Sequence, residues 1–296
     1  MTLADDVGDR EPLREERAPA FQMLSLEAIK AELNRPYPLC EAERSAFLRN
    51  GSIKLKNVVS PDAALTLRAE QKALLERAHS ARLDAVGDGR FLSLEMVWTE
   101  NPLVRAFVLS PRIAGIAAEL LQVPAVRLYH DNILSKEPAG GRTPWHFDDH
   151  HFPLATHNVA TAWLPCQAIP PWMGPLAFAR PIEAWKLVKD VPFNTRDTSY
   201  DREVAARFQE NEVVVDDAPF DLGDVSFHHN LSFHTAAANR STLSRIVLAN
   251  TYYEDGARVI DDPTMVSGDW RKFIPDTEPG EPAASPLNPI CGRADL

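Results

Sequence analysis

Two Ser-Pro steps open helices in the first part of the chain, and from Val126 onward such signals give way to short apolar or alternating stretches cut by Pro, Gly, Asn and Asp. Ser60-Pro61-Asp62 supplies an N-cap, a proline at the first helical position and an acid in the first turn, and predicts a helix to about His79. Ser110-Pro111-Arg112 repeats the signal before a helix over Ile113 to Leu121. Ahead of both, Gly51 to Val59 alternates apolar and polar residues at period two, the pattern of a half-buried strand. The later stretches, Val126 to Ser135, Val159 to Leu164, Glu212 to Val215, Val225 to Phe227 and Arg245 to Tyr253, read as antiparallel strands. Strands that follow one another without long helical crossovers cannot form a parallel sheet. The pattern therefore predicts a mainly β fold with flanking helices, a double-sheet jelly roll.

A chain of 296 residues with 45% apolar and 25% charged side chains can bury a sizeable core. We expect residues 21–296 to form one domain, and the polar segment 1–20, poor in apolar surface, to be a flexible tail. Six prolines between Pro263 and Pro289 predict a C-terminal stretch that wraps the core irregularly. The balance of 31 basic against 42 acidic residues, a net charge of −11, speaks against nucleic acid or an anionic membrane surface as partner. No run of 18 apolar residues occurs, and the first residues lack the apolar core of a signal peptide. Three widely spaced cysteines, Cys40, Cys166 and Cys291, suit neither a disulfide framework nor a thiolate zinc site, so a cytoplasmic location is expected.

The histidines carry the chemistry. Of nine, four lie between His146 and His157 and three between His228 and His234. Imidazole is the commonest metal ligand, and two His with one carboxylate on one face of an octahedron is the usual holder of non-haem iron(II). In Trp145-His146-Phe147-Asp148 the His and Asp are two apart, and on an extended strand they would point the same way and grip one ion. A His-x-Asp triplet alone is a weak signal. The second window strengthens it: Gly223-Asp224 opens a turn before a strand, His234 follows Gly223 by eleven residues, and Arg245 follows His234 by eleven more. An arginine there can meet a carboxylate in a two-pronged pair that lysine cannot reproduce.

From about Gly51 to about Tyr253 the sequence resembles the phytanoyl-CoA dioxygenase-like branch of the iron(II)- and 2-oxoglutarate-dependent oxygenases. The resemblance is strongest over His130 to Trp163, with its Lys136-Glu137-Pro138 turn and His-x-Asp, and over Gly223 to His234 followed by Asn239-Arg240-Ser241 and Arg245. It implies a cupin-like double-stranded β-helix in which His146, Asp148 and His234 bind Fe(II). It also implies that Arg245 pairs with the C5 carboxylate of 2-oxoglutarate, that Trp163 lines the cosubstrate pocket, and that Thr143 places a polar group near it. The implied reaction consumes O2, releases succinate and CO2, and hydroxylates an unactivated C–H bond. Because Asp148 is present, the place that halide takes in related halogenases is filled, which favours hydroxylation. The absence of a dense Lys/Arg run favours a small organic or natural-product-like substrate over an acyl-CoA.

Two departures from the family pattern stand out. Gly174-Pro175-Leu176-Ala177-Phe178 leads into Ala179-Arg180-Pro181-Ile182 in place of Pro-Gly-Ser-His, and the residue two after the distal His is Ala236 where a small hydroxyl is usual. The first predicts an altered loop, and the second the loss of one cosubstrate hydrogen bond. His228 and His229 compete with His234 as ligand, and His229 is expected to support the loop or the ligands. Trp163 is equally readable as plain core, and Asp149, His150, His151 and Phe152 as substrate-facing or as an exposed loop. A redox-neutral, cupin-like metal isomerase or hydrolase, and a non-catalytic ligand binder on the same fold, are the alternative readings.

Overall fold

The computed structural model describes residues 21–80, 82–84, 89–194, 196–263 and 269–294; the expected N-terminal tail lies outside them. Helices α1 (Leu26–Leu33) and α2 (Glu41–Asn50) precede strand β1 (Ser52–Leu55), α3 (Pro61–Ala78), β2 (Phe91–Glu95), α4 (Pro102–Val108) and α5 (Pro111–Leu121). Then come β3 (Ala125–Lys136), β4 (Thr143–His146), β5 (Val159–Pro165), β6 (Leu176–Arg180), α6 (Ser199–Glu210), β7 (Val214–Asp216), β8 (Val225–His229), β9 (His234–Ala236), β10 (Arg245–Glu254) and β11 (Ile290–Arg293). The two expected caps form as read, with Ser60 Oγ accepting from the Ala63 amide and Ser110 Oγ from that of Ile113.

All pairings are antiparallel. The major sheet runs β1-β8-β5-β10-β3-β11, with β2 also paired to β3, and the minor sheet runs β4-β9-β6-β7. This is the expected mainly β, double-sheet jelly roll with flanking helices. Alternation along the strands divides its core. Ile246, Leu248 and Tyr252 of β10 pack with Ile113, Ile116 and Leu120 of α5 in the cluster between helices and sheet. Val247 and Ala249 join Leu176, Phe178 and Ala236 of the minor sheet in a second cluster, between the sheets.

Several elements differ from expectation. The first strand stops at Leu55 because Lys56 bonds the carboxylates of Asp221 and Asp224 and Asn57 takes a positive φ of 54°. Helix α6 interrupts the β-rich part: its buried Tyr200, Val204 and Phe208 are four residues apart and cover Trp145 and Phe233. The C-terminal stretch is not wholly irregular, since β11 completes one edge of the major sheet. Gly292 permits this, because a Cβ there would lie 2.3 Å from the Ala114 carbonyl of α5.

Candidate metal and cosubstrate site

The site forms where β4 pairs with β9. His146 and His234 are direct cross-strand partners, their rings 4.2 Å apart between centroids. Thr143 pairs with Ala236 in the same ladder, so three residues of β4 span what two span on β9. Pro144 lies in this bulge, where its missing N–H costs no ladder bond. The bulge is what lets Thr143 and His146, three residues apart, both line one cavity, while Trp145 packs on the opposite side against Phe208 and Phe233.

Asp148 arrives differently from the expectation of one extended strand. β4 ends at His146, and Asp148 is helical, at φ −88° and ψ −10°, opening a short 3-10 turn over Asp149–His151. Its backbone N–H donates to the Asn230 carbonyl at 2.8 Å, tying this turn to the loop between β8 and β9. Asp148 Oδ1 then stands 3.6 Å from His146 Nε2 and 3.9 Å from His234 Nε2, and the three ligand atoms all lie within 4.8 Å of one another.

That donor set fits a divalent cation. His146 Nδ1 contacts the Pro144 carbonyl at 2.8 Å and His234 Nδ1 that of Ser232 at 2.9 Å; an N–H there leaves each Nε2 lone pair facing the third ligand. Burial, reinforced by neighbouring His146, holds His234 well below its ordinary pKa and so in the neutral form that coordinates metal. Burial alone would raise Asp148, but the imidazoles of His234, His228 and His146 outweigh it and hold the carboxyl well below the usual range. One carboxylate flanked by two imidazoles is the donor set suited to iron(II).

The cavity encloses about 310 Å3, and Arg245, Trp163, Thr143, Leu176, Ala236 and Ala249 line it together with the triad. Arg245 is 2% exposed, and among the described residues no carboxylate pairs with it. Its Nη1 donates to the Gly174 carbonyl, its Nε is buried without a partner, and burial lowers its pKa to about 10. The guanidinium lies 5.3 Å from the centre of the Trp163 ring, and Trp163 both lines this cavity and packs in the apolar cluster between the sheets. A buried cation with unused donors is costly unless an anion completes it.

Lys136 deepens the same positive end. It is 1% exposed, its Nζ donates to Thr143 Oγ1 at 3.2 Å and to the Ala237 carbonyl at 3.0 Å, and burial together with nearby Arg245 lowers it to about 7. The sequence placed Lys136, with Tyr129 and His130, on the strand and turn before the His-x-Asp motif and left open whether they face a substrate or solvent. Thr235 turns away to donate to the Thr143 carbonyl and does not replace the hydroxyl missing at Ala236. His229 supports the loop between β8 and β9, as expected, its Nδ1 accepting from the Leu231 amide, while it is His228 whose Nε2 lies 3.2 Å from Asp148 Oδ2.

The other end of the cavity is lined by Phe91, Glu95, Tyr129, His130, His151, Phe152 and Phe273. Tyr129 and His130 are consecutive yet both line it. The β3–β10 register passes from His130↔Thr251 to Leu128↔Tyr252, leaving Tyr129 as the extra residue of a bulge. Asp149 is held by Asn230 and His157, and Cys166 is buried, with its thiol raised to about 12 and bonded to Gln71.

Fold and triad together define a double-stranded β-helix protein with a two-histidine, one-carboxylate metal site. The family model for phytanoyl-CoA dioxygenase matches residues 47–247, and the chain belongs to that family. A search of curated proteins gave no match. Among solved structures, SnoK, the non-heme alpha ketoglutarate dependent carbocyclase of nogalamycin biosynthesis, is 24% identical with a TM-score of 0.67, over 86% of this chain and 99% of that one. The epimerase SnoN of the same biosynthesis, in complex with Fe3+, alpha ketoglutarate and nogalamycin RO, is 22% identical with a TM-score of 0.64, over 85% and 98%. EctD from S. alaskensis with bound Fe is 19% identical with a TM-score of 0.62, over 83% and 89%. At these identities the likeness establishes the fold. No helix among the described residues is long and apolar enough to cross a membrane.

Proposed function

We propose that this chain is an Fe(II)- and 2-oxoglutarate-dependent dioxygenase that hydroxylates an unactivated C–H bond of a small organic molecule. The observation that carries this reading is the buried, carboxylate-free Arg245 in the same cavity as the His146–Asp148–His234 triad. A metal binder needs only the triad; a dicarboxylate cosubstrate needs a second, cationic anchor. Iron(II) with 2-oxoglutarate and O2 supplies the oxidising power, ending in succinate, CO2 and one oxygen atom for the substrate.

The chain's own residues do the binding and positioning. His146, Asp148 and His234 would hold the metal through two imidazole nitrogens and one carboxylate oxygen. Arg245 presents its guanidinium to the distal carboxylate, Trp163 walls that end, and the Thr143 hydroxyl, directly across the ladder from Ala236, stands in for the hydroxyl missing there. Lys136, bonded to Thr143, stands behind it and can take up a proton as the dicarboxylate arrives.

The far end suggests the substrate class. Among the described lining residues Arg245 is the only Arg or Lys, and it is committed to the cosubstrate. What remains is aromatic wall with Glu95, Tyr129, His130 and His151 as polar handles, which suits an uncharged or cationic ring-bearing molecule better than a phosphate-rich acyl-CoA. The test is anaerobic addition of Fe(II) and 2-oxoglutarate, followed by O2 and a metabolite extract. We expect a visible charge-transfer band that His146→Ala lacks, succinate release, and a product gaining one oxygen. No band in the native chain overturns the cofactor reading; succinate with a product of unchanged composition overturns hydroxylation in favour of epimerisation.

A further inference from the structure

Of the histidines that line the cavity, His228 is the one that the proposed function leaves unused, although it is 2% exposed. Its ring lies between two others, 4.6 Å from that of His234 and 5.5 Å from that of Phe178, so its orientation is tightly restricted. Nε2 points at Asp148 Oδ2, 3.2 Å away, while the other carboxylate oxygen, Oδ1, faces His146 and His234. A carboxylate with two oxygens can meet a cation through one or both. A donor fixed on Oδ2 makes the one-oxygen mode the favoured one and holds Oδ1 toward the metal.

The tautomer this requires leaves one ring atom to be satisfied on the far side. With the proton on Nε2, Nδ1 must be an acceptor, and it is buried with no partner. Ser52 is the direct cross-strand partner of His228 and Ser226 is two residues along the same strand, so both side chains share its face of the sheet. Both hydroxyls are likewise buried and unpartnered, and a hydroxyl is a donor free to rotate. Three complementary polar atoms on neighbouring positions would be expensive to leave unmade, whereas a hydroxyl or a bridging water donating to Nδ1 satisfies the group and keeps the Nε2 proton aimed at Asp148.

We infer that His228 is a positioning residue for the metal site, set by the buried serines behind it, which donates to Asp148 Oδ2 and so fixes the carboxylate for one-oxygen coordination. The inference rests on the reading of the triad as a metal site, and the test separates the two. Co(II) alone is titrated into the full-length apo protein and its visible absorption recorded for the native chain, His228→Phe, His228→Gln, His228→Asn and His146→Ala. Glutamine places its amide N–H near the position of Nε2; asparagine is polar but too short to reach Asp148.

We expect His228→Phe and His228→Asn to bind Co(II) about 10–100-fold more weakly, and His228→Gln to recover most of the affinity with the native band. If His228→Phe does not fold, the Gln and Asn pair decides the matter. Equal affinity across the His228 variants overturns the inference, and so does an equal loss in Gln and Asn. A change of band shape showing a lost ligand in His228→Phe also overturns it, because His228 would then itself coordinate. Failure of the native chain to bind Co(II), or native-like binding by His146→Ala, would overturn the metal site instead.

Discussion

The two ends of the cavity are built by different means. At the metal and cosubstrate end the contributing side chains sit on paired strands, His146 on β4, His234 on β9, Trp163 on β5, Arg245 on β10 and Lys136 at the end of β3, except Asp148, which opens the turn after β4. At the other end Phe91 and Glu95 come from β2 and His130 from β3, but the rest of the wall comes from a bulge at Tyr129, the 3-10 turn carrying His151 with adjoining Phe152, and Phe273, which follows a short turn in the C-terminal stretch. Ladder positions tolerate little change because a slip of one residue reverses every side chain, whereas turns vary freely. The chemistry is therefore tied to the frame, and the choice of molecule to the parts that can change without breaking it.

This contrast can be broken by substitution. The largest effect is expected at the triad, where His146→Ala, Asp148→Ala or His234→Ala should abolish metal binding and 2-oxoglutarate-dependent O2 consumption, measured by metal titration and an oxygen electrode. Next, Arg245→Lys keeps the charge but loses the planar fork, so 2-oxoglutarate affinity should fall roughly 10–100-fold, corresponding to about 1.5–3 kcal/mol for a charge-assisted hydrogen bond. Calorimetric titration of the metal-loaded protein reads this. An unchanged affinity would show that the cosubstrate does not use this end.

Gly174→Ala probes the support behind Arg245. Gly174 has φ +73°, and a Cβ there would lie 2.3 Å from the Ala237 carbonyl. We expect a loss of about 1–3 kcal/mol in stability together with weaker 2-oxoglutarate binding, since the carbonyl that receives Arg245 must move.

A pH experiment sharpens the comparison further. Lys136 has a folded-state pKa of about 7 against 10.5 for the free side chain. Between those values the unfolded chain holds a proton that the folded chain does not, so stability rises with pH across that window, and Lys136→Met should remove the rise. At pH 8 an arriving dicarboxylate should draw a proton onto Lys136, seen as a buffer-dependent heat of 2-oxoglutarate binding. The smallest effect is expected at the rim: Phe91, 53% exposed, should be replaceable by Ser within about 0.5 kcal/mol and without changing metal or cosubstrate affinity.

What the sequence revealed follows the same division. His146 and Asp148 were legible because they are close along the chain, and His234 and Arg245 because one strand and one loop fix their distance from Gly223. Lys136 and His228 could be named but not given a place, since their importance depends on atoms supplied by other elements: Thr143 and Ala237 for one, Asp148, Ser52 and Ser226 for the other. The bulges at Pro144 and Tyr129 were invisible, because period-two reasoning assumes an unbroken pleat. Helix α6 was overlooked because polar residues surround its three apolar anchors, and β11 because prolines dominate the stretch before it.

The triad belongs to one leaf of the sandwich, with β4, its following turn and β9, whereas Arg245 and Trp163 belong to the opposing leaf. A small parting of the leaves would thus leave the ion seated while drawing the guanidinium out of range of the dicarboxylate. On the proposed function the gap between the two leaves would set the length of dicarboxylate the site accepts, so a longer or shorter diacid should bind more weakly than 2-oxoglutarate.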